Sequence, residues 1–177
     1  MTLENINMAE LKKLHKTACD WLGATDSDHV IIAGGMLRDT WLGTKWKDVD
    51  VFTTCPLKMA NAWLYPVTDQ SEEYDHVAGH KFVSQCTVFV DGVCFNFIHY
   101  DPSYAVFNAR TLIEGFDFSN CQIAFDGDAL EFTERFALDV SDKVLRRVNN
   151  TVGTNSHGER MWAKFPDWAF IDDTEVF

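Results

Sequence analysis

Several absences set the first limits on this chain. Its cysteines, Cys19, Cys55, Cys86, Cys94 and Cys121, are odd in number and show no CxxC spacing. That argues against a disulfide framework or a zinc ribbon and fits a reducing compartment. Long apolar runs are lacking: none approaches the roughly 20 residues that span a bilayer. The opening stretch MTLENINMAELKKLHK has no apolar segment of the signal-peptide kind. The expectation is a soluble cytoplasmic protein with no membrane partner. Basic residues are scarce, 15 Lys and Arg against 27 Asp and Glu, for a net charge of -12. A sequence-blind grip on a phosphate backbone needs clustered cations, so strong duplex DNA binding is not expected. Lys143, Arg146 and Arg147 do cluster late in the chain. They read either as a solvated helix face or as a local groove for a single RNA end. No repeat, low-complexity tract or Pro/Gly/Ser linker interrupts the sequence, and one domain over 1–177 is expected.

What is present is a hydrophobic content of 46%, with 14 Phe and 6 Trp, enough for a core that needs no disulfide or structural metal. Residues 4–22 repeat apolar positions near every 3.6 residues, which predicts an amphipathic helix ended by Gly23. A short apolar strand over 29–33 runs directly into Gly34-Gly35, a helix over 36–42 closed by Gly43, and a strand over Val49–Thr53. A short helix is predicted over 56–64. Strands over Phe82–Val90 and Val93–Tyr100 flank Asp91-Gly92, a strong hairpin signal. Helices follow at 102–112 and 135–148. A strand pair, 116–125 and 130–133, spans Asp126-Gly127. Residues 149–159 read as a polar loop, and the Trp- and Phe-rich tail as packing back on the domain. The order predicts a mixed β-sheet with flanking helices, an α/β or α+β arrangement.

The informative stretch is IIAGGMLRDTWLGTKWKDVDVF, residues 31–52. Glycines let a backbone approach a ligand closely, and the start of a helix favours an anion such as a phosphate. Alone, a glycine pair at a strand-to-helix turn is as readily only a tight turn. Asp48 and Asp50 add a second signal. At i and i+2 on a strand they share a face, where two carboxylates repel unless a cation lies between them. Hard oxygens on a rigid element suit Mg²⁺ or Mn²⁺, which also take substrate phosphate oxygens.

GG-x-x-R-D followed by D-V-D-V-F resembles the signature of the DNA polymerase beta superfamily of nucleotidyltransferases, and above all the head domain of CCA-adding enzymes and poly(A) polymerases. Residues 115–125, GFDFSNCQIAF, resemble the family's Arg-Asp-Phe-Thr strand, with Asp117 at the Asp position and Phe116 in place of the Arg. Small viral and phage nucleotidyltransferase-like proteins are similar in size and in this strand, which would place the chain in a host cytoplasm. The resemblance implies a nucleotidyltransferase (polymerase beta palm-like) fold. It implies transfer of a nucleoside monophosphate from a nucleoside triphosphate to an RNA 3′ end, a protein hydroxyl or a small molecule.

The roles it implies are Asp48 and Asp50 as metal ligands, Asp117 as a third catalytic acid, and Gly34 and Gly35 as N–H donors to phosphates. Arg38 either reaches a phosphate or forms a helix-packing ion pair; Asp39 is mainly structural. Lys47, with Lys45, screens the triphosphate or stays solvated. The family's third acid falls at Asn96, an amide that is a weaker ligand and cannot act as a base. Either Asp117 completes the site, or the chain is a weakened or inactive relative that binds a nucleotide or inhibits a partner protein. His76, His80 and Cys86 lack a second ligand pair for zinc. His157 shows no partner in sequence, and Cys121 reads as a small buried hydrophobe.

Overall fold

The computed structural model describes residues 5–57, 77–150 and 154–174. Helix α1, Met8–Leu22, starts where the Asn7 side chain accepts the Ala9 and Glu10 N–H groups, and stops at Gly23 in a left-handed conformation. Strand β1, Val30–Ala33, passes through Gly34 into α2, Gly35–Trp41. Strand β2 is Val49–Thr53, and β3, Phe82–Val90, and β4, Val93–Tyr100, form the hairpin at the boundaries the sequence predicts. Asp91 and Gly92 both have positive φ, as a two-residue hairpin turn demands. Of the helix predicted over 56–64, residues 58–64 lie outside the described residues, and the described remainder is not helical.

Besides α1, which starts at Met8 rather than near residue 4, four stretches differ from the sequence reading. The helix predicted over 102–112 is confined to α3, Ala109–Glu114. Asp101 folds 101–103 into a turn by accepting from Ser103, and Asn108 and Thr111 form a capping box that starts the helix later. The strand predicted over 116–125 splits into a 3₁₀ turn, Ser119–Cys121, and β5, Ile123–Phe125. Its partner β6 is Leu130–Phe132, after which Thr133 caps α4, Glu134–Asp142. The helix predicted over 135–148 ends early because Lys143 turns left-handed, and Val144–Arg147 becomes β7. The loop predicted over 149–159 instead contains the first turns of α5, Thr154–Lys164. The tail returns as predicted: β8, Ala169–Asp172, pairs parallel with β7, and Phe165 stacks near Trp168.

The main sheet runs β3-β4-β2-β1-β5-β6, with β2 and β4 parallel and the other neighbours antiparallel. It is the mixed α+β sheet with flanking helices that the sequence predicts. Alternation along the strands separates two cores. Val49, Val51, Phe95 and Phe97 pack with α1, α2 and α4 on one face. Ile31, Phe52, Ile98 and Tyr100 pack with α3, β7 and Met161 of α5 on the other. Asp50 therefore shares the second face with Phe52. Among the described residues no helix is long and apolar enough to cross a membrane.

The end of α3 is pressed against 77–78. A Cβ on Gly115 would stand 2.6 Å from Val77 Cγ1 and 2.7 Å from the Ala78 carbonyl oxygen. Gly115→Ala is expected to cost about 1–3 kcal/mol by overpacking, measured as a lower urea midpoint; wild-type stability would show that this contact yields freely.

Candidate functional site: a cavity at the start of the second helix

Strands β1 and β2 run antiparallel, with Ile32 opposite Val51. The exit of β1 into Gly34-Gly35 therefore lies beside the entry of β2 at Asp48 and Asp50. Asp48 immediately precedes the strand rather than belonging to it. Gly34 has φ +80° and ψ -129°, a conformation closed to side-chain-bearing residues. Space is not its constraint, since a Cβ there would meet only Phe116 at 3.7 Å. Its N–H donates to the Ile123 carbonyl at 2.9 Å, continuing the sheet. Of the two N–H groups expected to face an anion, that of Gly34 is therefore engaged in the sheet.

Gly34, Gly35, Asp48 and Asp50 line one cavity of about 400 Å³ together with Arg38, Lys47, Phe116, Asp117, His157, Arg160 and Lys164. The lining mixes the carboxylates Asp39, Asp48, Asp50 and Asp117 with the cations Arg38, Lys47, Arg160 and Lys164. Lys47 is almost fully exposed and stands 4.0 Å from Asp48. Arg38 is buried. Its Nε and Nη2 donate to Asp39 at 3.0 and 2.9 Å, Nη1 reaches the Cys121 and Met161 sulfurs, and the guanidinium lies over Phe165. Asp39 also accepts from Lys164 Nζ at 2.6 Å, which ties α2 to α5. Of the two roles open to Arg38, the ion pair with an acid is the one present.

Asn96 lies opposite Asp50 in the parallel β2–β4 register. Its Nδ2 donates to Asp50 Oδ1 at 2.9 Å, and its Oδ1 accepts from Thr87 Oγ1 at 2.8 Å. The reverse amide orientation would set two acceptors face to face, so this one is fixed by chemistry. The amide oxygen is thereby turned from the carboxylates toward Thr87. Asn96 serves Asp50 as a donor, not as a ligand beside it.

Asp117, buried at the head of the 3₁₀ turn, is paired with His157. Nδ1 of the ring lies 2.8 and 3.0 Å from the two carboxylate oxygens. The Asp117 carbonyl accepts from Val148 and Asn149, which fixes its backbone. Burial opposes charging of His157, but the Asp117 carboxylate, with the Cys121 sulfur, outweighs it and lifts the pKa to about 10. Asp117 thus lines the same cavity as Asp48 and Asp50 while being engaged with a histidine. Among the described residues no group of three or more His, Cys, Asp or Glu is arranged to hold a metal. Asp48 and Asp50 bring carboxylate oxygens to the cavity, the ligand type that Mg²⁺ takes one or two of alongside substrate phosphates.

Sequence reasoning set His157 aside for want of a partner and missed Arg160 and Lys164. They recur at i, i+3 and i+7, the spacing of one helix face, and a helical reading of 154–164 would have found them. His76 lies outside the described residues; His80 stands edge-on to Phe107.

No protein-family model and no curated protein sequence matches the chain. Among solved structures it is similar to a CCA-adding enzyme in complex with CTP, at TM-score 0.58 and 18% identity, covering 98% of this chain and 43% of that one. It is also similar to the Thermotoga maritima CCA-adding enzyme complexed with tRNA, at TM-score 0.56 and 16% identity, covering 98% and 42%. A tRNA-processing enzyme in its apo form matches at TM-score 0.55 and 17% identity, covering 93% and 44%. The chain spans less than half the length of each. What this likeness shows is the fold: the chain has a nucleotidyltransferase-like fold.

Proposed function

We propose that this chain binds a nucleoside triphosphate with a divalent cation in the cavity and moves the nucleoside monophosphate to an acceptor hydroxyl. The observation that carries the reading is the shared cavity, lined by Asp48 and Asp50, by Gly35 at the start of α2, and by Lys47, Arg160 and Lys164. Asp48 and Asp50 would hold Mg²⁺ or Mn²⁺. Bound there with phosphate oxygens, the cation would stabilise charge on the attacking and leaving oxygens. The Gly35 N–H and the α2 start would face the phosphates, and Lys47 would screen them from the open side. Arg38 would act through its ion pair, holding α2 against α5. Acceptors in keeping with the acidic chain are a protein hydroxyl or a small molecule; an RNA end remains in the same class because the similar structures include a tRNA complex. Incubation with each α-labelled nucleoside triphosphate, Mg²⁺ or Mn²⁺, and a cell extract should label RNA, protein or a small molecule. Absence of label in all three would remove the enzyme reading.

Asn96 supports a second reading, that of a weakened relative that binds nucleotide without efficient transfer. Here an amide donates to Asp50 where a third carboxylate would ligate. Asn96→Asp would replace this bond with a carboxylate pair in contact. The expected loss without cation is about 2 kcal/mol, or roughly 4–8 °C in melting temperature, restored by Mn²⁺ together with faster transfer. Melting curves that ignore Mn²⁺ would count against a metal at this pair.

A further inference from the structure

We propose that His157, held by Asp117, contacts a phosphate of the bound nucleotide from the α5 side of the cavity. The inference rests on the nucleotide-binding reading above and assigns a role to a residue outside the motifs that suggested it. The ring is anchored on one side: Nδ1 sits on both Asp117 oxygens, and Phe118 meets the ring edge-to-face with centroids 5.3 Å apart. The helix carrying it approaches closely, since a Cβ on Gly158 would already stand 3.4 Å from Phe118 and 3.5 Å from Arg147. The imidazole is thus fixed in position and in the proton it gives to Asp117. Both Asp117 contacts use Nδ1, which leaves Nε2 outside that pair. The Cys121 sulfur is within hydrogen-bonding reach of the ring, but a sulfur is a weak acceptor and a phosphate oxygen a far stronger one.

Of the other cations of the cavity, Arg160 lies one turn further along α5, and the remaining three are committed elsewhere. Arg38 is engaged by Asp39, Cys121 and Met161, and Lys164 is drawn to Asp39. Lys47 stands outside, beside Asp48. A phosphate chain with one end at Asp48 and Asp50 needs donors elsewhere in the same cavity, and His157 is among its lining residues. There His157 is a rigid donor in the ring plane, with a buried carboxylate behind it supporting its charged form. Asp117 acts through His157 as a positioning residue.

The test uses inorganic triphosphate with Mn²⁺ as the probe, titrated calorimetrically into the full chain. His157→Gln should weaken binding about tenfold, the loss of one charge-assisted hydrogen bond. Asp117→Asn should weaken it less, because the imidazole remains but is no longer held. Binding of the four nucleosides without phosphates, measured alongside, should not change in either variant. Equal triphosphate affinity in wild type and a folded His157→Gln protein would overturn the assignment while leaving the cavity's nucleotide role standing. So would parallel loss of nucleoside and triphosphate binding, the mark of a structural role. No triphosphate binding by the wild type would overturn both readings. If His157→Gln fails to fold, His157→Asn is titrated in its place, with the same two outcomes.

Discussion

Replacing Asp48 and Asp50 together by asparagine is expected to reduce transfer by on the order of a thousandfold or more while the fold survives. The size follows from what the pair would supply, a cation's stabilisation of charge that develops only as the phosphoryl group moves. Asparagine is the informative replacement. It keeps the side-chain volume beside Phe52, and its Oδ1 still accepts from Asn96 Nδ2, the bond that Asp50 makes at 2.9 Å. An alanine at position 50 would leave that amide donor without its acceptor and mix a structural penalty into the result. Like-charge repulsion between the carboxylates also disappears, so the melting temperature should hold or rise. Nucleoside triphosphate titrations with and without Mn²⁺ check the cause: the wild type should lose affinity when the cation is removed, and the variant should show no such dependence. Unchanged Mn²⁺-dependent affinity in the variant would mean that the cation binds elsewhere.

Asp39→Ala should give the largest loss of stability. Asp39 is the single acid shared by Arg38 and Lys164, with contacts of 2.9 and 2.6 Å, and its side chain is only 4% exposed. Arg38 is equally buried. Removing the acid leaves an uncompensated guanidinium inside the protein, at a cost of about 3–5 kcal/mol, or roughly 6–20 °C in melting temperature. It also releases α5 from α2 and with it the wall bearing His157 and Arg160. Lys164→Ala is the control. Its ammonium is half-exposed, and losing it should cost about 1 kcal/mol or less. Urea unfolding of the two variants separates the cases; equal losses would show that Arg38 finds another partner without cost.

How far the sequence disclosed this site depended on whether each signal was local. The glycine pair, the two aspartates and the hairpin at Asp91-Gly92 are written in adjacent residues, and their elements lie where periodicity and turn chemistry put them. His157, Arg160 and Lys164 of α5 were illegible for the opposite reason. Residues 149–159 are polar and contain Gly153 and Gly158, so local propensity favours a loop. The helix there is held by tertiary contacts: Met161 in the second core, His157 on Asp117 and Lys164 on Asp39. Lys143 shows the same override, its left-handed backbone ending α4 before Val144–Arg147 joins β8. The Asp117–His157 pair spans 40 positions of sequence, and only the fold of 116–121 and α5 against each other brings it about. The position of Asn96 opposite Asp50 was within reach of pattern reasoning; that its amide turns a donor toward the aspartate follows from Thr87 on the neighbouring strand.

Nucleotidyl transfer at the Asp48–Asp50 cavity is decided by placing the label at two positions of the same triphosphate. With Mn²⁺ and a cell extract supplying acceptors, the wild-type chain should move the α-phosphate label into an acceptor and release the γ-label as pyrophosphate. The Asp48→Asn, Asp50→Asn protein should do neither. Transfer of the γ-label to an acceptor, or α-label transfer of equal rate in both proteins, would contradict the account.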